Sequence, residues 1–504
     1  MGQGGLTVRR DIRARLAAVH GSAGALFGAM LFVVLFTGAW SAAQPAMAGW
    51  WRAPRAADAG AALPLDRLLA LAASRGFDAT QARIALPRPG DPAARFCAGR
   101  DCSLALDART GDRIPASSPA DVLVTLHKSL YAGFPGRIAV SLFGVVLLLL
   151  LAGGVALHGP SLRHAFRLRG GRGRYVRLFD LHGLVGLWAI PWLALFGATG
   201  ALSGLGALGT VALAPVAFPA EPGQAMVRLM GTPAPPATGR PWLAAPSLDE
   251  ILRRDAARGA EFRPQALVLH HWGDAGASVE VAGVTRGLPS TALFERHLYR
   301  ASDGAWLRDE TVRGRGPWLR AFVEVQPLHF AQYEWLPGAA AWRAVHVLMG
   351  VAACVLAATG LYLWIRRHGS QRPRQARALA RAATAACAGL VLAAGVLLAA
   401  GQAWPSPMRP AAWASGAFWA AWVAAVAMVL ACPRPEAGLR ILLAGAGIAW
   451  LSGALLHLWR EVGAGMGHWP IDAALALIGA ALLRQAWILA RAPAGRSSRG
   501  VALP

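Results

Sequence analysis

The protein has 504 residues, of which 55% are hydrophobic and 15% are charged. Soluble chains carry about 25% charged residues, so this composition excludes an ordinary soluble protein, and the hydrophobicity excludes a disordered chain. Five cysteines are too few for a disulfide-rich scaffold. The formal net charge of +24 fits either a nucleic-acid-binding protein or a membrane protein with basic loops.

Apolar segments of about 20 residues, the length of a bilayer span, occur eight times along the chain. They lie at about residues 19–43, 138–157, 184–208, 342–365, 382–403, 412–431, 439–458 and 470–490. The first segment exceeds the apolar run of a signal peptide, which is about 7–15 residues, so we expect it to be retained. The sequence therefore predicts a transmembrane helix bundle with about eight spans.

Two long polar segments interrupt the first four spans and predict small α+β domains outside the membrane. The predicted organisation is a cytoplasmic N-terminus and first span (1–43), a first periplasmic domain (44–137), spans two and three with a basic loop (138–208), a second periplasmic domain (209–341), span four (342–368) and a C-terminal region of four further spans (369–504).

Local patterns within the polar segments predict individual elements in chain order. An amphipathic helix is expected over residues 65–75 with Gly76 as its stop, and strands over 82–86, 104–106, 266–269 and 278–281. The segment Asp107–Asp112 contains Asp-Ala-Arg-Thr-Gly-Asp, which is typical of a turn.

Arginines concentrate in the short connections and so predict the orientation. The basic residues of the N-terminus and of the connections after spans two and four are Arg9, Arg10, Arg13, Arg15, Arg163, Arg167, Arg169, Arg172, Arg174, Arg177, Arg366, Arg367, Arg372, Arg374, Arg377 and Arg381. By the positive-inside rule these segments face the cytoplasm, which puts both termini inside and both polar domains in the periplasm. Most of the excess charge is then a topology signal and a contact with anionic lipid of the bilayer, and no nucleic acid is needed to explain it.

The chain contains an internal repeat of about 165–200 residues. His20-Gly21, Gly24 and Thr37-Gly38 recur at identical spacing as His182-Gly183, Gly186 and Thr199-Gly200. In the polar segments, Leu65-Asp66 recurs as Leu248-Asp249, and Leu126-His127, Tyr131, Pro135-Gly136 recurs as Leu328-His329, Tyr333, Pro337-Gly338. Each half is therefore a span, an outer domain and a returning span.

Four histidines occupy matched positions in this repeat. His20 and His182 lie at the predicted cytoplasmic ends of spans one and three, whereas His127 and His329 lie at the outer ends of spans two and four. Histidine near a span is costly and by default indicates function. Two imidazoles that face each other across a helix bundle suit haem iron, although histidine pairs also suit copper. His346, which has no counterpart in span two, is an alternative outer ligand.

Four glycines lie near these histidines: Gly21, Gly24, Gly183 and Gly186. We expect them either to let a flat ring approach the backbone or to serve ordinary helix packing.

Cys97 and Cys102 flank a four-residue loop in a predicted oxidising compartment, which favours a disulfide over a pair of inert thiols. Walker A, H-E-x-x-H and C-x-x-C motifs are absent from the sequence. No nucleotide or flavin domain is therefore evident, and electrons for a haem would come from a separate donor.

The motifs His20-Gly21 with Thr37-Gly38, Leu126-His127 with Pro135-Gly136 and their repeats resemble the PepSY-associated transmembrane family of bacteria. The turn at Asp107–Asp112 resembles that of a PepSY domain, and the resemblance covers about residues 10–368. It implies a four-helix core with PepSY-like domains outside and two b-type haems, one held by His20 and His182 and one by His127 and His329. It also implies a ferric-siderophore or other ferric-chelate reductase of the inner membrane that receives electrons from a cytoplasmic or quinol donor.

Two other functions fit the sequence. A permease for siderophore or metal would use the additional spans, and broken helices or several buried charges would favour it; Asp472 is the acidic residue nearest a span interior. A non-catalytic membrane anchor would use its PepSY-like domains to bind partner proteins.

Overall fold

The computed structural model describes residues 3–51, 61–88, 91–99, 101–158, 169, 173–224, 231–243, 246–314, 316–403, 411–461 and 468–491. Most of the basic connection after the second span, with Arg163, Arg167 and Arg172, lies outside this part of the chain. The chain divides into two compact units. The first comprises residues 1–52 and 57–360, and the second residues 53–56 and 361–504.

The eight predicted spans are confirmed: eight helices in the described residues are long and apolar enough to cross a membrane. The protein is therefore a multi-pass membrane protein. In the first unit the long helices are α1 (Gln3–Met47), α4 (Gly133–His158), α5 (Gly173–Trp188), α6 (Ile190–Ala217) and α9 (Ala339–His368), whose last eight residues belong to the second unit.

The third span differs from its prediction as one continuous helix, because α5 ends at Trp188 and α6 begins at Ile190. Pro191 stands in the first turn of α6, and proline has no N–H to continue the helix ladder. Hydrogen bonds from Ala189 N to Val185 O (2.9 Å) and from Leu193 N to Ala189 O (2.8 Å) still carry the backbone across the break. The span is a proline-kinked helix rather than an unwound one.

The two polar segments share one antiparallel sheet instead of forming two separate domains. Its strands are β1 (Gln81–Ala85), β2 (Ala93–Ala98), β3 (Asp101–Asp107), β4 (Arg113–Ile114), β5 (Phe262–His270), β6 (Ser278–Thr285), β7 (Arg296–Arg300) and β8 (Trp306–Glu310). The order is β4-β3-β2-β1-β5-β6-β7-β8. Strands β1 and β5, one from each half of the repeat, pair at the centre with Ile84 opposite Leu267. Pairing the two halves removes an exposed edge from each.

Helices α2 (Leu65–Ala73) and α7 (Leu248–Arg258) pack on this sheet, and Leu68 and Ile251 are among the buried core residues. The helix predicted over residues 65–75 is thus present, and Gly76 follows it with φ +84°, a conformation that favours glycine. The predicted turn is also present: Gly111 has φ +75° and its N–H donates to Asp107 O at 2.8 Å.

Short helices lead from the sheet back to the bundle: α3 (Asp121–Ser129) precedes α4, and α8 (Pro317–His329) precedes α9. Each ends in a turn with a non-glycine residue at positive φ, Leu130 (48°) and Tyr131 (59°) after α3 and Ala331 (53°) after α8. These sharp turns follow His127 and His329 directly, so they fix where both side chains sit relative to the bundle.

Apolar residues from α1, α4, α6 and α9 fill the middle of the first unit. Leu31, Leu147, Leu193 and Ala353 are buried there. This cluster is called the central apolar layer below.

The second unit contains α10 (Pro373–Ala383), a π-turn (Thr384–Ala388), α11 (Gly389–Ala403), α12 (Ala411–Ala431), α13 (Pro435–Glu461) and α14 (Trp469–Arg491). In the π-turn, the carbonyl oxygen of Ala385 accepts a hydrogen bond from Trp422 Nε1 at 3.1 Å. This bond satisfies a carbonyl group that water cannot reach in a bilayer.

Candidate functional site: two histidine pairs

The first pair joins α1 and α5. The ring centroids of His20 and His182 lie 6.4 Å apart and the ring planes are almost perpendicular, at 83°. His182 Nδ1 lies 2.9 Å from Thr359 Oγ1 on α9. Because Thr359 Oγ1 also donates to Val355 O at 2.7 Å, it accepts from the imidazole N–H.

The second pair joins the ends of α3 and α8. The ring centroids of His127 and His329 lie 6.1 Å apart and the rings are nearly parallel, at 23°. His127 Nδ1 donates to Val34 O at 2.9 Å. His329 Nδ1 donates to Thr199 Oγ1 at 2.8 Å, because that hydroxyl itself donates to Leu195 O at 2.6 Å.

Burial keeps both imidazoles of the second pair neutral. Desolvation lowers the pKa of His127 below its usual range, although the bond to Val34 O opposes this shift. Desolvation, with the neighbouring His127 and His346, lowers the pKa of His329 to about 3. With Nδ1 protonated and hydrogen-bonded, Nε2 is the nitrogen that carries the lone pair, which is the arrangement that second-shell partners impose on metal-ligating histidines.

Glycines bring each histidine ring against the backbone of a neighbouring helix. A Cβ on Gly38 would lie 2.9 Å from His127 Cε1, and one on Gly200 would lie 3.4 Å from His329 Cε1. At the other pair, a Cβ on Gly360 would lie 3.3 Å from His182 Cε1 and one on Gly153 would lie 3.4 Å from His20 Nδ1. The repeated Thr-Gly motif is thus part of the histidine surroundings.

Of the two roles expected for the glycines near the histidines in sequence, helix packing is seen at Gly186, and a side chain at Gly24 or Gly186 would not meet a histidine ring. A Cβ on Gly24 would meet nothing within 4 Å, and one on Gly186 would contact Leu356 Cδ2 at 3.6 Å. The sequence pattern missed Gly153 and Gly360, which touch the rings, and Thr359, which bonds to one of them. A helix-by-helix alignment of α4 with α9 pairs Gly154 with Gly360 and is the signal that would have found them.

His346, the alternative ligand of the second pair, is buried on α9 beside this pair. Its Nδ1 is hydrogen-bonded to Tyr333 Oη at 2.9 Å, and its ring centroid lies 4.8 Å from that of Phe196 and 5.6 Å from that of Trp192. An aromatic enclosure and a bond to tyrosine thus hold His346, whereas His127 and His329 face each other.

The two pairs lie at opposite ends of the bundle. Along α1, His20 and Gly38 are 18 residues apart, which corresponds to about 27 Å at 1.5 Å per residue. The central apolar layer lies between them. Residues of all four core helices therefore separate two histidine pairs across nearly the thickness of a bilayer.

Both pairs have the spacing that one iron ion between two imidazoles requires. Metal–imidazole nitrogen bonds are about 2 Å long, so two opposed ligands place their ring centroids roughly 6 Å apart. The centroid distances of 6.4 and 6.1 Å match this value. The ring spacing therefore fits a haem with two histidine ligands at each end.

Cys97 and Cys102 are joined by a disulfide with an S–S distance of 2.04 Å. They are opposite each other at the turn between β2 and β3. The disulfide therefore closes the β2–β3 hairpin of the sheet.

Comparison with known proteins supports the resemblance seen in the motifs. The model of the PepSY-associated TM region matches residues 17–367, which is more than half of the chain. The chain belongs to the PepSY-associated transmembrane family. An uncharacterized protein of Pseudomonas aeruginosa is 52% identical over 378 residues, which cover 74% of this chain and 96% of that relative. The family match contains all four paired histidines and His346, whereas helices α10–α14 lie beyond it.

Proposed function

We propose that this PepSY-associated transmembrane protein is an inner-membrane oxidoreductase with two b-type haems that passes electrons across the membrane to a ferric siderophore in the periplasm. The observation that carries the proposal is the presence of two histidine pairs, each with centroids about 6 Å apart, at opposite ends of one bundle. A single pair would serve a local site. Two pairs separated by the central apolar layer suit transfer from one membrane face to the other.

In this function His20 and His182 hold one haem, and His127 and His329 hold the other. Bound b-haem supplies reversible one-electron chemistry. The hydroxyls of Thr199 and Thr359 and the carbonyl of Val34 fix the Nδ1 tautomer and the ring orientation of three ligands. The central apolar layer excludes water and ions between the two ends.

Reduction of the substrate releases its metal. A siderophore binds Fe(III) through hard oxygen donors, and these donors hold Fe(II) less strongly because its charge is lower. Conversion of the ferric chelate to the ferrous form therefore weakens it and lets the iron leave.

A cavity where the sheet meets the start of α9 is a candidate docking place for an anionic chelate. Its volume is about 300 Å³ and its lining includes Arg263, Arg286 and Glu334. Glu334 is paired with Arg343 Nη2 at 2.5 Å, so the carboxylate does not cancel the charge of the two lining arginines. The cavity reaches Gly338, nine residues after His329 in the sequence.

The predicted orientation agrees with this direction of transfer. Arg13 and Arg15 lie near the start of α1, whereas the end of α1 leads into the segment that forms the sheet. The positive-inside rule assigns the arginine-rich end to the cytoplasm. Electrons from a cytoplasmic or quinol donor would enter near His20 and His182 and leave near His127 and His329.

The buried ionisable side chains of the second unit, His457, Glu461 and Asp472, are a feature that the permease alternative calls for. The third span, however, does not supply the unwound helix of a transporter. Hydrogen bonds continue across the kink at Ala189, whereas transporter helices are unwound where they line a binding site. The anchor alternative explains the sheet but leaves two histidine pairs, three of whose rings are held by hydrogen bonds, without a purpose.

The test is an optical and electron paramagnetic resonance spectrum of the purified full-length protein, expressed with adequate haem. We expect a haem Soret band and two low-spin centres. His20→Ala and His182→Ala should each remove the same centre, and His127→Ala and His329→Ala the other. His346→Ala is the matched control and should retain both centres, because His346 bonds to Tyr333.

Absence of a Soret band would overturn the haem function. Two centres that persist in His20→Ala and His182→Ala would refute the pairing. Loss of one centre in His346→Ala with retention in His329→Ala would transfer the ligand role to His346. A haem-loaded protein that fails to reduce a ferric siderophore under reducing conditions would leave an electron carrier with a different acceptor.

A further inference from the structure

Four ionisable side chains meet in the second unit, where α13 ends and α14 begins. They are His457, Glu461, His468 and Asp472, and three of them are buried to 95% or more. They lie beyond the residues that match the family. Burial of so many ionisable groups is costly unless they pair or bind a metal.

Three of these side chains converge through one carboxylate oxygen. Glu461 Oε1 lies 3.4 Å from His457 Nε2 and 2.7 Å from His468 Nδ1. One ligand atom from each of the three residues lies within 4.8 Å of the other two. Ligand atoms around a tetrahedral ion with bonds of about 2.0–2.1 Å are roughly 3.4 Å apart, so small side-chain shifts would place an ion among them.

Asp472 orients the most buried member of the set. Its Oδ2 lies 2.9 Å from His457 Nδ1, and both side chains are 1% exposed. A carboxylate on one imidazole nitrogen turns the other nitrogen toward the ligand, as in carboxylate–histidine–zinc arrangements. Here that other nitrogen is Nε2, which faces Glu461.

One carboxylate oxygen of Glu461 is left without a partner by the part of the chain that the structure describes. Its Oε2 is buried and has no hydrogen-bond partner within the described residues, while Oε1 already contacts both histidines. An unsatisfied buried carboxylate oxygen is expensive, and an ion bound by this side chain would offset that cost.

We propose that His457, Glu461 and His468 form a binding site for a divalent first-row transition ion, with Asp472 as the residue that positions His457. Two imidazoles and one carboxylate are the donors that Zn²⁺ and Fe²⁺ take, whereas Mg²⁺ and Ca²⁺ prefer oxygen donors alone. His468 is 28% exposed, so the ion has a route in past this side chain. Three protein ligands leave a coordination position for water or another ligand.

Metal binding to the full-length protein in detergent tests the site after removal of bound ions with a chelator. Calorimetric titration with Zn²⁺ alone should show an equivalent of tight binding that His468→Gln and Glu461→Gln abolish. Asp472→Asn should weaken binding by about 10–100-fold, the usual effect of losing such a carboxylate. His368→Ala is the matched control, because its ring stacks on Trp364 and lies outside the cluster; it should bind like the parent protein.

Competition identifies the class of ion. Fe²⁺ added without oxygen should compete with Zn²⁺ for this equivalent, whereas a large excess of Mg²⁺ should not displace it. Thermal unfolding of each variant checks the fold, and His468→Gln, which alters a partly exposed side chain, keeps the test valid if Glu461→Gln does not fold. Zn²⁺ binding of equal stoichiometry and affinity in the parent, His468→Gln and Asp472→Asn would overturn the proposal, as would displacement by Mg²⁺.

Discussion

Glycine at the histidine pairs sets how closely an imidazole lies against the next helix. At Gly38 the limit is most severe, because a Cβ there would lie 2.9 Å from His127 Cε1 and 3.2 Å from Nδ1. The orientation of that ring is fixed, since Nδ1 bonds to Val34 O, and its centroid lies 6.1 Å from that of His329. Gly38 therefore matters because its missing side chain leaves room for the His127 ring, and not because of backbone flexibility.

Gly38→Ala should displace the His127 ring and break its bond to Val34 O. We expect a loss of about 1–3 kcal/mol of stability from overpacking and weaker binding of the haem that we propose for His127 and His329. Gly24→Ala in the same helix is the matched control, because its Cβ would meet open space and alanine is favoured over glycine in helices by up to about 1 kcal/mol. Thermal unfolding and the absorption spectrum check both variants. Equal tolerance of the two substitutions would contradict this account.

The membership of each histidine pair followed from the repeat, but the surroundings of the rings did not. Equal spacing from His20 to Gly38 and from His182 to Gly200 predicts equivalent positions, and a pseudo-two-fold axis then places the rings together. The partners of the rings differ between the halves: His329 bonds to the side chain of Thr199, whereas His127 bonds to a backbone carbonyl. Such differences depend on local helix packing, which spacing does not encode.

At the scale of elements, the Leu-Asp motif joins the two halves of the repeat. Asp66 accepts from Leu248 N (2.7 Å) and Ser247 Oγ (2.6 Å) at the start of α7. In return, Asp249 accepts from Leu65 N (2.8 Å) and Asp66 N (2.9 Å) at the start of α2. Each carboxylate thus caps the helix of the other half, where orphan N–H groups and the helix dipole favour negative charge.

Asp66→Ala and Asp249→Ala should each lower the free energy of unfolding by about 1–2 kcal/mol, the usual cost of a lost cap. Since both caps hold the same helix pair, the double variant should lose less than the sum, with a coupling of at least about 0.5 kcal/mol. Denaturant or thermal unfolding of the full-length variants measures the cycle. Asp101→Ala, at an exposed strand position, is the control and should change stability by less than about 0.5 kcal/mol. Strict additivity would argue against reciprocal capping.

The continuous sheet was not predictable, although several of its strands were. Predicted strands at residues 82–86, 104–106, 266–269 and 278–281 fall in or beside β1, β3, β5 and β6, because alternating apolar residues mark half-buried strands. The pairing of β1 with β5 joins residues about 185 positions apart, and no local pattern specifies it. The kink at Pro191 was likewise missed, since hydropathy does not register the loss of one backbone donor.

At the scale of the whole molecule, the distribution of charge predicts which membrane face each segment meets. Arg366 and Arg367 lie in the last turn of α9 and Arg374 lies in α10. The sheet instead carries balanced ion pairs such as Arg296–Glu280 at 3.0 Å and Arg258–Asp309 at 2.8 Å. The positive-inside rule predicts that the basic connections face the cytoplasm, because the membrane potential and anionic lipid both favour this position. Hydropathy and charge together therefore predicted the spans, which the structure confirms, and an orientation that stays a prediction.

Two matched serine-to-cysteine variants test that orientation. Ser302 lies in the turn between β7 and β8, Ser370 lies between α9 and α10, and both side chains are exposed. A membrane-impermeant maleimide added to spheroplasts should label Ser302→Cys and leave Ser370→Cys unlabelled until the membrane is permeabilised. The parent protein, with Cys354, Cys387 and Cys432 as its thiols, gives the background.

The reverse labelling would place the sheet in the cytoplasm. The direction of electron transfer proposed above would then be wrong even if both histidine pairs bind haem, because the His127–His329 end would face the reductant instead of the ferric substrate.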